Sequence, residues 1–191
     1  DIDLYFAGRK HLTVSDVATG SGNIALALVK EEPKIKMYAT DISTKALKIT
    51  VNAKTLEALA VAGSGDLRAA KLKAGKLKAS IAGSGDITIS NLDADDLHIS
   101  IAGSGNFVGG GKANTVSSNI AGSGDIKAGK LESNASKISI AGSGDATVWA
   151  KDTLTVKVAG SGDVKYYGDA KVSQSVAGSG SVKRLGNTPG A

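Results

Sequence analysis

Cysteine is absent from the sequence, which excludes disulfides, thiolate nucleophiles and cysteine-ligated metal centres. Only two histidines, His11 and His98, are available for acid–base chemistry. Aromatic residues make up 4% of the chain, so the core has to be built from Val, Ile, Leu and Ala. No apolar run approaches the ~18 residues of a membrane-spanning helix, and we expect no span in this chain. These shortages predict a protein without enzymatic activity and without a cofactor.

Blocks of like charge are also missing, although Lys and Arg exceed Asp and Glu by 23 to 18 and give a net charge of +5. The densest basic stretch, over residues 71–78, interleaves lysines with apolar residues and contains no aromatics, so it indicates outer faces of strands and no nucleic-acid partner. Proline is scarce, with 2 residues against 25 glycines, while the hydrophobic share is an ordinary 41%. The 191 residues therefore fit one folded domain, residues 1–191.

What the sequence does contain is a repeat. The tetrapeptide Ala-Gly-Ser-Gly begins at residues 62, 82, 102, 121, 141, 159 and 177, with spacings of 20, 20, 19, 20, 18 and 18 residues. A period near 20 indicates one supersecondary unit per repeat, stacked on its neighbours as in a solenoid. We predict seven repeats over residues 62–185, preceded by an irregular capping segment over residues 1–61.

Apolar residues alternate on both sides of each tetrapeptide. Leu97, Ile99 and Ile101 precede one copy with polar residues between them, and Ile87 and Ile89 follow another. A period of two indicates strands, and the glycine-rich corner then links two of them. A third short side follows, so each coil has three sides and places every strand above its predecessor. The sequence predicts an all-β fold, a parallel β-solenoid with about 18–20 residues per coil.

The unequal repeat lengths fit this architecture. The 18-residue coils that begin at residues 141 and 159 lose two residues from the third side, which preserves the inward and outward parity of the strands. The single 19-residue coil would reverse that parity, and it contains three consecutive glycines at 109–111, which can accommodate a bulge.

The alternation also predicts which side chains face inward. One continuous column is expected to stack coil on coil from Ile81 through Ile101, Ile120, Ile140 and Val158 to Val176. On the outer faces, small residues are expected to form ladders. These are Ser80, Ser100, Ser118 and Ser139.

An acidic position follows each Gly-Ser-Gly corner and lines up along one edge of the predicted solenoid. Its members are Asp66, Asp86, Asn106, Asp125, Asp145, Asp163 and Ser181. Carboxylates ~5 Å apart repel each other, so they require solvent, hydrogen bonds or a cation. We expect Asx-type hydrogen bonds to the turn amides and no metal site. A calcium-stabilised solenoid, with Asp66, Asp86, Asp125, Asp145 and Asp163 as the candidate ligands, remains the alternative.

The pattern Ser-Ile-Ala-Gly-Ser-Gly-Asp-Ile at residues 80–87, together with the closing stretches at 163–169 and 175–182, resembles the head GIN domain family of putative auto-transporter adhesins. Residues 1–14 and 47–51 resemble the opening strands of that family. The resemblance implies a β-solenoid, an extracellular, cell-surface or periplasmic location, a role in adhesion and no catalytic residues. The partners it suggests are a cell-surface protein or a glycan.

A second resemblance covers residues 16–52. The stretches at 16–23 and 39–43 are similar to the first motifs of glutamine methyltransferases that act on release factors. This resemblance implies a glycine-rich turn close to S-adenosylmethionine, with Asp41 at the ribose hydroxyls, and residues 24–30 as a helix. The catalytic Asn-Pro-Pro-Tyr of that family is absent, and solenoid repeats follow residue 52. The alternative function is therefore a methyltransferase fragment fused to a β-solenoid.

The remaining expectations concern the surface. His98, beside Asp95 and Asp96, is predicted to lie on a solvated face, and Trp149 on the outward parity of its strand. An open solenoid has two end coils with unpaired backbone groups, and association through them or through the flat faces predicts a homo-oligomer. Residues 1–61 are expected to cap one end, and the degenerate sequence after Ser181 is expected to cap the other in part.

Overall fold

The computed structural model describes residues 2–3, 25–31, 34–41, 49–50 and 56–190, with side chains described over 56–190. Over these residues the chain forms strands and no helix, and the repeats build a parallel β-solenoid of about seven turns. The fold class predicted from the repeat is therefore confirmed. The described residues contain no helix long and apolar enough to cross a membrane.

Thirteen strands occur in the described part of the chain. In order they are β1 (Ile2–Asp3), β2 (Ala25–Glu31), β3 (Lys34–Asp41), β4 (Ile49–Thr50), β5 (Leu56–Gly63), β6 (Leu67–Gly83), β7 (Ile87–Gly103), β8 (Phe107–Gly122), β9 (Ile126–Gly142), β10 (Ala146–Gly160), β11 (Val164–Tyr167), β12 (Lys171–Gly178) and β13 (Val182–Gly186).

The strands from β5 to β13 stack in chain order, each in parallel register with the strand one coil earlier. Each of the long strands β6 to β10 bends around nearly a whole coil, and β12 pairs with β10 beside β11. Equivalent residues of successive repeats lie opposite each other, as Leu77, Leu97 and Val116 do. The repeat thus fixes the register, because a slip by one residue would expose an entire apolar face.

At the N-terminal end, β3 pairs in parallel with β5 and β2 pairs antiparallel with β3, so a hairpin continues the sheet beyond the first coil. The helix that the methyltransferase alternative allowed over residues 24–30 is wrong, because Ala25–Glu31 is a strand paired with Lys34–Asp41. Only the two residues between these strands link them, which is too short for the crossover helix of a doubly wound sheet. The rest of the segment 16–52, apart from residues 49–50, lies outside the described residues.

The inward column stacks as the alternation predicts, and its first five members are buried. The sixth, Val176, stacks on Val158 but is 37% exposed, whereas Val158 is 3% exposed. The prediction that it would face a closed interior is wrong for this member. Val176 belongs to the last coil, and no further coil is present in the described residues to cover it.

Ser118 corrects another prediction. Instead of joining the outer ladder, it pairs with Ile99 and Ile138 and is 2% exposed in the core. Asn119 occupies the outer position opposite Ser100. The other ladder serines stand two residues before their tetrapeptide, whereas Ser118 stands three residues before Ala121 and shares the parity of the inward Ile120.

The glycines of the corners are required by close contact between coils. Gly103 has a φ of 126°, and a Cβ on Gly105 would lie 2.1 Å from the carbonyl oxygen of Gly85. The amides of Ser104 and Gly105 donate hydrogen bonds to the Gly83 carbonyl oxygen, at 2.9 and 3.0 Å. Only residues without a Cβ allow the corners of successive coils to stack this closely.

The short coils lose residues where the sequence indicates. The register between β7 and β8 shifts by one residue between Ile89 and Leu92, opposite the glycine triplet. Gly111 there has a φ of 112° and lies against the backbone of Leu92, which confirms the glycine bulge. Between β9 and β10 the shifts fall between Val148 and Thr153, on the third side, as predicted.

Candidate functional site

The polar ladder is the row of residues that follow the Gly-Ser-Gly corners, from Asp66 to Ser181. Between successive coils, an Oδ1 atom accepts a hydrogen bond from the backbone amide of the equivalent residue in the next coil. The nitrogen–oxygen distance is 2.8 Å from Asn106 to Asp86 and 2.8 Å from Asp163 to Asp145. Hydrogen bonding to turn amides is therefore confirmed, but the amides belong to the following coil, and Asx-type bonds within the same turn are not what the ladder forms.

Asp163 is the last carboxylate of the polar ladder, and its partner in the next coil is a serine. The hydroxyl and the backbone amide of Ser181 both donate to its Oδ1 atom, each at 2.8 Å. These hydrogen bonds, together with the charge of Lys165, lower the pKa of Asp163 below its ordinary value. The carboxylate is thus held in its charged form by bonds between two coils.

Metal binding by the ladder has no additional support from geometry. Over residues 56–190 and the short strands before them, no group of three or more His, Cys, Asp or Glu side chains is placed to hold an ion. The ladder is a single row in which one carboxylate oxygen of each member already accepts an amide. Calcium binding by Asp66, Asp86, Asp125, Asp145 and Asp163 therefore stays a hypothesis from the sequence.

A second row, the charge ladder, lies on the third side of the coils. Lys73, Asp93, Lys112 and Glu132 face one another in register with alternating sign. The Lys73 Nζ lies 3.4 Å from Asp93 Oδ2, and the Lys151 Nζ lies 3.3 Å from Glu132 Oε1. These groups are largely exposed, so each pair contributes at most about 1 kcal/mol. Because the sign of the charge alternates from coil to coil, pairing with the wrong coil would bring like charges together.

An open groove of about 690 Å³ crosses the outer face of the middle coils. Its floor contains the glycine triplet at 109–111 and Gly129, and its rim includes Lys127, Lys130 and Tyr167. We call it the glycine groove. The Tyr167 ring extends across the intervening coil, because a Cβ on Gly129 would lie 3.3 Å from its Cε2 atom. Glycine backbone thus lines part of the groove, and the aromatic ring lies over Gly129 at one end.

The glycine groove is basic. Among the described residues that line it are two lysines and no Asp or Glu side chain. Lys127 forms one long contact, 3.9 Å to Asp125 Oδ2, and both side chains are well exposed. Lys130 forms no ion pair with another residue of the described chain. Thr88, Ser90 and Thr147 add hydroxyl groups to the same lining. The groove therefore offers positive charge, hydroxyls and one aromatic face to a ligand.

The last coil leaves the solenoid interior open. All eight residues of β12 are exposed, and Val172, Val176 and Leu185 are among the most exposed large apolar side chains of the described residues. The equivalent residues one coil earlier are buried, with Leu154 at 0% and Val158 at 3% exposure. The partial C-terminal cap expected from the sequence is confirmed on one side, where β13 pairs with β11 and the Arg184 Nε donates to the Gly168 carbonyl oxygen at 2.8 Å. No described strand covers β12, so an apolar surface remains there.

Other residues singled out from the sequence lie apart from these features. His98 is exposed on its strand, as predicted, and lines a second groove of about 510 Å³ with Lys76 and Asp96. Trp149 is partly buried and lies opposite Tyr167. Asp41 ends β3, and its side chain lies outside the description, as does His11. Sequence reasoning missed the glycine groove, although the triplet and Gly129 were its signal.

Comparison with known families gives one match over most of the chain. The family profile described as "putative auto-transporter adhesin, head GIN domain" matches residues 19–170. The matched range includes most of the repeats and part of the segment that precedes them.

Solved structures agree with this match. A putative lipid binding protein from Parabacteroides distasonis is 32% identical over 82% of this chain and 63% of its own, with a TM-score of 0.69. A putative adhesin from Bacteroides fragilis is 26% identical over 84% of this chain and 76% of its own, with a TM-score of 0.67. This chain thus spans less than two thirds of the first protein.

A release factor glutamine methyltransferase from Koribacter versatilis matches a much shorter stretch. It is 56% identical over 46 residues, which are 24% of this chain and 16% of the methyltransferase. The likeness is confined to a fragment, and the solenoid shares no strand arrangement with a doubly wound sheet over the residues described.

Proposed function

The chain belongs to the family of putative auto-transporter adhesin head GIN domains, and from this premise we propose that it is a non-enzymatic, exported adhesion or scaffold domain at the cell surface. It binds partners through its solenoid surfaces and assembles with copies of itself through its open C-terminal coil. Self-assembly is proposed because the last coil exposes side chains whose equivalents are buried in every earlier coil. The proposal assigns no catalytic residue and no cofactor.

Self-assembly is supported by the chemistry of the end surface. Val172 and Val176 occupy the inward positions that Leu154 and Val158 hold one coil earlier, and no described strand pairs with the outer edge of β12. Natural solenoids need a polar terminal unit to stay soluble as single chains. Covering this end with a second copy would bury the apolar residues and pair the strand edge.

The proposed location and the proposed class of partner are inferred from the family. The family description and the solved relatives from Bacteroides and Parabacteroides support export to the surface or the periplasm. The relative described as a putative lipid binding protein has a ligand class of its own, which this chain need not share. A cell-surface protein or a glycan is the partner class that suits rigid, solvent-exposed faces.

Light scattering over a range of concentrations tests the self-assembly. Wild-type protein is expected to form dimers or larger assemblies at about 100 μM, and Val176→Lys to weaken association at least about tenfold, because it places a charge in the apolar end. Val108→Lys is the matched control. Val108 is 38% exposed against 37% for Val176, but it lies on a lateral face, so its variant should associate as wild type does.

A strict monomer at high micromolar concentration, which stays monomeric after deletion of residues 1–45, would contradict self-assembly through either the end coil or the faces. The methyltransferase alternative is tested separately by calorimetry. Micromolar binding of S-adenosylmethionine to the full chain would overturn the non-enzymatic proposal, whereas the absence of binding heat at such concentrations supports it.

A further inference from the structure

We propose that the glycine groove binds an acidic saccharide, in which a carboxylated sugar ring lies on the glycine floor against Tyr167 and its carboxylate meets Lys127 and Lys130. The inference rests on the proposed surface-binding role and names the ligand class and the place where it binds. It is independent of self-assembly, since the groove lies on a lateral face and the open coil lies at the end.

The shape of the groove suits a flat, semi-rigid ligand. Its volume of about 690 Å³ falls within the ~300–1,000 Å³ range of small-ligand sites and exceeds the needs of one sugar ring, so it accommodates a short oligosaccharide. Glycine backbone lines the floor at the glycine triplet, and at Gly129 the Tyr167 ring and the Thr147 methyl group lie above the backbone, so a sugar ring would meet the tyrosine there. The groove is open along the face, and a polymer chain can therefore enter and leave at its ends.

The lining combines apolar and hydroxyl surfaces in the proportions that sugars require. Tyr167 supplies an aromatic face for the C–H side of a pyranose ring, and the exposed Val108 extends the apolar surface. Thr88, Ser90 and Thr147 lie along the same groove and offer hydroxyls to the equatorial groups of the sugar. A stretched acyl chain would leave these hydroxyls without partners, which disfavours a lipid tail.

Charge decides between neutral and acidic sugars. Lys127 and Lys130 line the groove without any carboxylate, and Lys130 has no ion-pair partner over the described residues. Both lysines are exposed, and the only ion pair of Lys127 over the described residues is the long contact with Asp125, so both ammonium groups are accessible point charges for a ligand carboxylate. A uronic acid or another carboxylated sugar supplies the negative charge and the ring together. The observations therefore favour a carboxylated saccharide over a neutral one.

Calorimetric titration of the full chain with hexagalacturonate at low ionic strength tests the proposal, with the neutral cellohexaose as the comparison sugar. The Val176→Lys background is used alongside wild type, so that the result does not depend on self-assembly. We expect saturable binding of hexagalacturonate below about 1 mM and none of cellohexaose in that range. Raised salt should weaken the binding, because the contribution of exposed lysines is screened.

Three variants locate the site. Lys130→Glu should weaken binding of hexagalacturonate about tenfold, and Tyr167→Ala about fivefold, since the first reverses a charge and the second removes the ring face. Tyr167→Phe keeps the ring and should bind nearly as wild type. Lys157→Glu is the control, because Lys157 is an equally exposed lysine on a different face. Lys130→Glu and Lys157→Glu should melt at nearly the wild-type temperature.

Equal binding of both sugars, equal loss in the Lys130→Glu and Lys157→Glu variants, or no binding at about 1 mM would each overturn the proposal. Binding to vesicles of phosphatidylglycerol is the last measurement. Binding to vesicles that is lost in Lys130→Glu, without any binding of hexagalacturonate, would assign the groove to a lipid headgroup and also overturn it.

Discussion

The middle coils and the last coil share one sequence pattern and differ in their surroundings. Ile101, in a middle coil, has a coil above and below it and no exposed surface, whereas Val176, at the same position of the last coil, is more than one third exposed. The repeat supplies the same inward alternation in both places. The difference teaches that burial in a solenoid is contributed by neighbours, so that identical residues stabilise the fold unequally along its length.

The largest expected effect concerns Ile101, the buried residue of this comparison. Ile101→Asp should lower the free energy of unfolding by more than about 4 kcal/mol or prevent folding, because the charge would be buried without a partner. Val176→Asp should cost less than about 1 kcal/mol, since water reaches that position. Chemical denaturation monitored by circular dichroism measures both. Ser100→Asp, on the outer side of the same strand as Ile101, should be tolerated, and a comparable loss there would contradict the inward assignment.

A corner glycine gives the next largest effect. Gly105→Ala would place a Cβ 2.1 Å from the Gly85 carbonyl oxygen and 2.6 Å from Ile81 Cγ2, so the stacked coils would have to separate. We expect a loss of about 2–4 kcal/mol in the free energy of unfolding. Gly190→Ala is the control near the C-terminus, because nothing lies within 4 Å of its added Cβ. Equal melting temperatures for the two variants would refute the close-contact explanation.

Two buried serines differ in whether the hydroxyl has a hydrogen-bond partner. The Ser118 hydroxyl is buried without a hydrogen-bond partner, whereas the Ser136 hydroxyl lies 2.8 Å from that of Ser133. Ser118→Ala should therefore raise stability by about 1 kcal/mol, and Ser136→Ala should lower it by about 1 kcal/mol. Thermal unfolding of the two variants measures these opposite signs. If both substitutions destabilised the protein, a partner for Ser118 would have to exist.

The smallest effect concerns the end of the polar ladder. Because the pKa of Asp163 is lowered in the folded state, its contribution to stability is present above the unfolded pKa of ~3.9 and is lost as the pH falls through the lower folded value. Asp163→Asn keeps an acceptor oxygen but does not titrate there. The melting temperatures of wild type and Asp163→Asn, compared from neutral pH to strongly acid pH, should converge or cross below that value. Parallel curves would contradict the assignment.

The sequence allowed most of the solenoid to be predicted, because a fixed period and a two-residue alternation leave few structures that bury all the apolar residues. The predictions that failed concern Ser118 and residues 24–30. Ser118 was placed on the outer face although it stands one residue before the equivalent of Ser100, which is Asn119, and shares the parity of the inward Ile120. The helix expected over residues 24–30 came from a local resemblance, and pairing of β2 with β3 overrides it.

The candidate site was predictable only in part. The polar ladder follows from one position in each repeat, but its hydrogen bonds run to the next coil, whereas the sequence predicted bonds within each turn. The glycine groove was not predicted, because Gly129 and Tyr167 are 38 residues apart in the numbering and belong to coils that are not adjacent. No pattern within one repeat places a ring across the coil between them.

The sequence by itself determined the period, the strand alternation, the inward columns and the glycine corners, because each follows from local sterics and from burial repeated at every turn. Tertiary structure alone decided which copies of the pattern are covered, where the glycines open a groove and which side chains meet there. The physical reason is that burial, exposure and contact between coils depend on what lies above and below a residue, which its own repeat does not record.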